Sequence, residues 1–452
     1  MSDPSHAVAL EEQIDHWRTF VRRRSADVAA LETQLRAQID RLLAAGLGAD
    51  EAFLVAAKRV GSRNAVTHEF AREHAGRLWK QLVIASADFA GARAPIPKDA
   101  AVAFGLAVTA AVLVKLPEVF GLDLDANADF YMRKLSCFVL PLVAGFFAWK
   151  RRLDGRTLGT LGVAFVLGAA VVNGYPFVAK GYTLMLAALH LPIALWLVVG
   201  VAHTGGRWNS PAARMDFVRF SGELFIYYVL IALGGVVFMG VMNLIFQAIG
   251  IDVEYFVGSW LVPCGATGAV LVASWLAEAN QSVAENIAPI LTRLFTPLFA
   301  AMLIVFLGTL LVTGRGLDIE REVLIVFDLL LVVVTGLLLY SVSARDPRSP
   351  PNVLDVMQIA LVVSALLADA VALWAIAGRI GDYGVSPNRA AALGENVILL
   401  VNLAWSAVLY VRFLRGRAPF AALERQQTRY LPVYAAWAAV VVVVFPPLFR
   451  FA

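Results

Sequence analysis

The sequence predicts an all-α protein: a polytopic transmembrane helix bundle of about eleven spans, preceded by a small soluble helical domain. Three features point there. The 452 residues are 60% hydrophobic and only 16% charged, against roughly 25% charged in an average soluble protein. Mean hydropathy is +0.72, and so apolar a chain is better solvated by a bilayer than folded around one aqueous core. The polar and apolar residues are also segregated. Residues 1–94 are polar and charged, 95–100 form a proline-marked linker, and 101–452 alternate apolar runs with short basic loops.

In the prefix, Val28, Leu31, Leu35, Ile39 and Leu42 recur at three- and four-residue steps, which places them on one helix face. Gly46 follows as a C-cap. Phe53, Ala57 and Val60 form the stripe of a next helix, and a further helix is expected over 62–84. The run LETQLRAQIDRLLAAGLGADEAFLVAAKRVGS, followed by EFAREHAGRLWKQL, resembles the permease prefix domain found before some bacterial membrane proteins. That resemblance implies a cytosolic module, either regulatory and partner-binding or a cap that only packs on the membrane part. Pro95 and Pro97 then stiffen the junction, since proline lacks the amide proton a helix interior needs.

Spans require about twenty mainly apolar residues. They are expected at 101–120, 134–149, 157–177, 182–203, 221–248, 255–277, 291–313, 322–343, 353–377, 388–411 and 431–450, the second of them short. The RWNSPAARMDFVRF segment before the fifth is read as lying flat at the interface. With the prefix in the cytoplasm, the inner loops hold about fifteen Lys and Arg and the outer ones about eight, as the positive-inside rule requires. An odd number of spans places the C-terminus outside. No cleavable signal peptide is expected, because the first residues lack a short apolar core.

From Tyr383 onward, YGVSPNR, VNLAWS, LERQQTRYLPVYAAWA and FPPLF resemble an uncharacterised bacterial multi-pass family, domain of unknown function 4153. The resemblance implies a bacterial inner-membrane location and this architecture, but no reaction.

An ionisable residue at the bilayer centre costs about 2.5–3.5 kcal/mol on insertion scales, so each such residue needs a reason. Asn388, Glu395 and Asn402 are spaced by seven, and 700° of rotation returns each to nearly one face; Ser406 lies one turn further. This polar stripe reads either as the lining of a proton-coupled or water-filled path, with Glu395 titrating, or as interhelical hydrogen bonding worth about 0.6 kcal/mol per bond. Asp369 is the deeper of two carboxylates in the ninth span, Asp355 being read as solvated near its end, and Asp328 sits one turn into the eighth. Lys115 and Glu118 are expected to pair, Glu223 to be solvated, Asn243 and Gln247 to bond a neighbouring helix, and His190 to be a satisfied buried histidine.

Several classes are excluded by pattern. Asp123, Asp125, Asn127 and Asp129 alternate like the start of a calcium loop, but its sixth and twelfth positions are Ala128 and Lys134. Cys137 and Cys264 are too few for a disulfide framework or zinc site. No phosphate loop, nucleophile elbow or HExxH helix occurs, so no cofactor is expected and an enzyme is disfavoured. The net charge of +4 suits anionic lipid rather than nucleic acid, there being no basic face interleaved with aromatics. The lipid bilayer is therefore the expected partner, with a cytosolic protein as a possible partner of the prefix. The leading expectation is a permease-like protein that binds or moves a small solute or lipid; the alternative is a membrane-bound signalling component acting through residues 1–94.

Overall fold

Hydropathy and helix periodicity translate directly into the architecture. The computed structural model describes residues 11, 14–15, 17–18, 28–44, 52–53, 55–56 and 97–452, apart from 125, 249–250, 280, 314–320, 346 and 348. Among them it is helical throughout, with no strand. The chain forms two units, Met1–Ile96 and Pro97–Ala452.

In the first unit, α1 (Val28–Ala44) presents Leu31, Leu35, Ile39 and Leu42 to Ile14, Trp17, Ala52, Phe53 and Ala56. This is the face its spacing predicts. Beside this stripe on α1, Glu32 accepts from Arg18 Nε at 2.6 Å and from Arg36 Nε at 3.0 Å, while Arg36 also pairs with Glu11 at 2.6 Å. The Arg18 hydrogen bond, backed by Arg36, holds the Glu32 carboxyl at about 2. The Gly46 cap, Ala57, Val60 and the helix expected over 62–84 lie outside the described residues.

The second unit contains α2 (Lys98–Val119), α3 (Ala128–Arg151), α4 (Gly155–Gly174), α5 (Tyr182–His203), α6 (Pro211–Ala248), α7 (Glu254–Ala279), α8 (Gln281–Thr313), α9 (Arg321–Ala344), α10 (Val353–Tyr383), α11 (Pro387–Leu414), α12 (Ala421–Val443) and a final turn, α13 (Phe445–Leu448). Each expected span falls on one of α2–α12. Among the described residues, nine helices are long and apolar enough to cross a membrane, two fewer than the eleven spans expected: α9 carries only a shorter apolar stretch, Asp328–Ala344, and α12, whose first turns are polar, is not among the nine. The most apolar part of α6 has a mean hydropathy of 2.4 with none of it buried against the rest of the chain. Leu230, Leu233, Val236, Phe238 and Leu244 all face outward there. Such a surface is stable only against hydrocarbon or another apolar partner. The chain is a multi-pass membrane protein.

Four boundaries differ from expectation. The linker is shorter, because Lys98–Ala100 already belong to α2 behind Pro97. The second span is not short, since α3 runs for 24 residues and takes in Asp129, Arg133 and Lys134. The segment expected to lie flat is instead the start of α6. Met215, Phe217, Val218 and Phe220 are buried in the bundle core, and this burial outweighs an interfacial position. The last span starts ten residues early, at Ala421, because Leu423, Gln426, Gln427 and Thr428 are buried, and it breaks before Pro446 and Pro447.

The helices alternate in direction. The C-terminal ends of α3, α5, α7 and α9 meet the N-terminal ends of α6, α10 and α12 at one end of the bundle. There Arg151 bonds His203 O at 3.2 Å and Glu278 at 2.7 Å, Arg219 bonds Ser343 O at 2.6 Å, and Arg214 bonds Thr428 O at 2.9 Å. This is the basic end. At the opposite end, Thr183 N donates to Ala452 O at 2.8 Å and Tyr175 Oη to Val443 O at 2.9 Å. Two large apolar cores fill the bundle, one among α6 and α8–α12 and the other among α2–α7 and the end of α12.

Candidate functional site

The ionisable residues gather where α9, α10 and α11 meet. Helix α11 starts with Ser386 accepting from Arg389 N and Pro387 in its first turn, a strong start signal. Pro387, Ala391, Leu399 and Leu403 lie among its buried residues. Between them the helix carries Glu395 and Asn396.

Asn396 is wholly buried and donates from Nδ2 to Asp328 Oδ1 at 2.8 Å and to Ala392 O at 2.9 Å. Its own Oδ1 is buried with no hydrogen-bond partner among the described residues. Asp369, on α10, is also wholly buried, and neither carboxylate oxygen has a partner among the described residues. Asp328 and Glu395 stand close enough for both charges to act on Asp369, and that of Asp328 acts on Glu395. Sequence spacing left open whether these carboxylates converge; the fold brings Asp328, Asp369 and Glu395 together. Asn396 was not singled out from sequence. Its only signal there was adjacency to Glu395 on an apolar helix.

The arrangement holds three acceptor atoms without a partner among the described residues, two of them on the wholly buried Asp369, beside the half-buried carboxyl groups of Asp328 and Glu395. Such groups persist in low dielectric when protons or a cation compensate them. Among the described residues, no three His, Cys, Asp or Glu side chains stand close enough to share a metal ion. The geometry suits proton sharing or a small cationic group.

The rest of the expected stripe behaves differently. Asn402 and Ser406 are wholly buried against α12. Asn402 donates to Tyr434 Oη at 2.6 Å and Gln427 Oε1 at 3.3 Å, and accepts from Gln426 Nε2. Ser406 Oγ donates to Asn402 O at 2.7 Å and accepts from Gln427 Nε2 at 2.7 Å. Every member has its partners, so this network joins α11 to α12 in the structural manner. Hydropathy concealed Gln426 and Gln427, because LERQQTRY reads as a loop until its burial is seen. Asn388 sits half-buried in the first turn of α11. It lies seven residues, or about 10 Å along the axis, from Glu395 and joins neither group.

The remaining candidates resolve individually. Lys115 pairs with Glu118, as expected, donates to Ser259 O at 2.5 Å and stands 4.5 Å over the Trp260 ring. Ser259 and Trp260 lie in a π-helical turn, Val257–Leu261, within α7. His190 is buried with Nδ1 on Leu186 O at 2.9 Å, as expected. Asp355 is not solvated. It is 4% exposed, forms a capping box with Asn352 and takes a two-point contact from Arg345 at 2.8 and 3.0 Å. Glu223 is also buried rather than solvated, because α6 begins twelve residues ahead of it. Asn243 Oδ1 has no hydrogen-bond partner among the described residues, and Gln247 is exposed. Cys137 and Cys264 are half-buried free thiols. In the acidic loop, Asp123 caps Ala126 N at 3.3 Å and Asp129 accepts from Lys180 N at 3.3 Å; Asp125 lies outside the described residues.

The chain matches no family model, no curated protein and no solved structure.

Proposed function

We propose that this is a permease-like protein that binds or moves a small solute or lipid, using the Asp328–Asp369–Glu395–Asn396 cluster as its proton- or cation-carrying site. The supporting observation is Asp369, buried on every side, with neither of its oxygens nor the Asn396 Oδ1 partnered among the described residues, beside two further carboxylates. A purely structural role is served badly by such an arrangement, since unpaired buried charge destabilises the fold. A site that alternately takes and releases positive charge uses it directly.

In this reading the protein sits in a bacterial inner membrane, with the prefix and basic end in the cytoplasm and the C-terminus outside. The loop-charge asymmetry supports that orientation. A second reading, membrane-bound signalling, draws on Met1–Ile96 being a separate unit with its own buried core. The prefix would then recruit a cytosolic protein.

The test is rescue of a gene-deletion strain profiled across nutrients, toxic compounds and envelope stresses, at matched membrane levels. Asp369→Asn is expected to abolish rescue while a chain lacking residues 1–96 retains it. Rescue by Asp369→Asn together with failure of the truncated chain would remove the permease reading in favour of signalling.

A further inference from the structure

A second polar site lies at the basic end, apart from the carboxylate cluster. A cavity of about 290 Å³ opens there between the ends of α3, α5, α6 and α7. Its rim carries the exposed Arg151, Arg207 and Asp216, and the half-buried Arg219 lines its wall. Its floor includes the buried His203 and Glu223.

The arginines are held in place largely by backbone. Arg151 Nε is fixed by His203 O at 3.2 Å, and its Nη2 by Glu278 at 2.7 Å. Arg219 spends Nε and Nη2 on Ser343 O at 3.1 and 2.6 Å, and Arg207 anchors only Nε, on Thr204 O at 3.4 Å. Carbonyl anchoring orients a guanidinium without neutralising it. Among the described residues, the Nη groups of Arg207 and the second Nη of Arg219 therefore remain available for oxygen acceptors, and a guanidinium fork matches the geometry of phosphate.

Charge balance narrows the ligand. Arg151 is compensated by Glu278, which leaves Arg207 and Arg219 facing Asp216 and Glu223. A cavity of mixed sign with no net excess is poorly matched to a polyanion. It is well matched to a zwitterion whose phosphate meets the arginines and whose N–H donors meet the carboxylates. The ring of basic loops places the cavity where lipid headgroups lie.

We propose that this cavity binds a phosphoethanolamine group, phosphate to Arg207 and Arg219 and primary ammonium to Asp216 and Glu223, carried either by a membrane lipid or by a soluble phosphoethanolamine ester. The full chain is purified in detergent and equilibrated with equal amounts of phosphatidylethanolamine, phosphatidylcholine and phosphatidylglycerol, and retained lipid is read by native mass spectrometry. Phosphatidylethanolamine is expected to be retained about tenfold over phosphatidylcholine, whose quaternary ammonium has no N–H to donate. The Arg207→Gln, Asp216→Asn double variant is expected to abolish that preference. Both positions are exposed, so the fold is left intact, and Arg415→Gln, an exposed arginine at the same end, serves as the control that keeps it. Soluble glycerophosphoethanolamine displacing the lipid assigns the soluble ester; lack of displacement assigns the lipid. Equal retention of phosphatidylglycerol, an unchanged preference in the double variant, or equal loss in Arg415→Gln overturns the proposal.

Discussion

Asn396 Nδ2 stands 2.8 Å from Asp328 Oδ1, joining α11 to α9 through a part-buried hydrogen bond, while the other end of the same amide has no partner among the described residues. Asn396→Leu should strand the Asp328 carboxylate. The expected cost is about 1–3 kcal/mol, the penalty of leaving a buried polar group unmade. Unfolding of the purified chain in detergent measures it. The Asp328→Asn, Asn396→Leu pair should cost less than the sum of its parts, since the two share one interaction.

The Asn402 network predicts the opposite profile from Asp369. Asn402→Leu removes bonds to Tyr434, Gln426 and Gln427, each worth about 0.6 kcal/mol in a membrane bundle. Stability in detergent should fall by about 1–2 kcal/mol while rescue of the deletion strain persists. Loss of rescue at normal membrane level would bring Asn402 into the working site after all.

Arg345 and Asp355 lock α9 to the start of α10 at the basic end, and Arg345 also stacks 4.4 Å from the Phe420 ring. With Asp355 4% exposed, Arg345→Ala leaves a buried charge uncompensated and should cost about 3–5 kcal/mol. Arg345→Lys should recover only part, because an ammonium cannot make the two-point contact. Membrane yield and thermal unfolding both report it.

In the first unit, stability should depend on acid through Glu32. Its folded pKa of about 2 lies below the ordinary value of 4.5, so the Arg18 and Arg36 contacts contribute fully above pH 4.5. That contribution declines as the pH falls toward 2. Trp17, fully buried in the same unit, offers a fluorescence readout. Glu32→Gln should flatten the pH dependence across that window.

Gly394 is a packing requirement rather than a hinge. A Cβ there would stand 2.0 Å from the Trp437 ring on α12, and a rigid indole cannot yield as a flexible chain end does. Gly394→Ala should separate α11 from α12 and cost about 1–3 kcal/mol, the usual range for overpacking. Tryptophan emission and unfolding in detergent follow the change.

Much of the fold was legible because bilayer solvation imposes long apolar runs that a hydropathy scan detects directly. The limits were set by residues whose burial depends on a neighbour. Gln426, Gln427 and Thr428 look like loop until α11 is placed against them. Phe217 and Phe220 look interfacial until α5 and α3 cover them. For the site, periodicity placed Glu395 and Asn402 on one face. Their different fates arise from which helix each one meets, and no single helix encodes that. Asp355 was misread because its partner, Arg345, lies across a loop.

The π-helical turn in α7 is a place where the chain holds one residue more than a regular helix of the same rise would need. Removing a single residue between Val257 and Leu261 would let the helix close into ordinary α geometry. It would turn Glu254–Phe256 by about 100° relative to the rest of α7 and withdraw the Ser259 carbonyl from Lys115. Here a change in chain length acts as a rotation of one helix end, leaving the half of α7 that packs into the bundle in its original register.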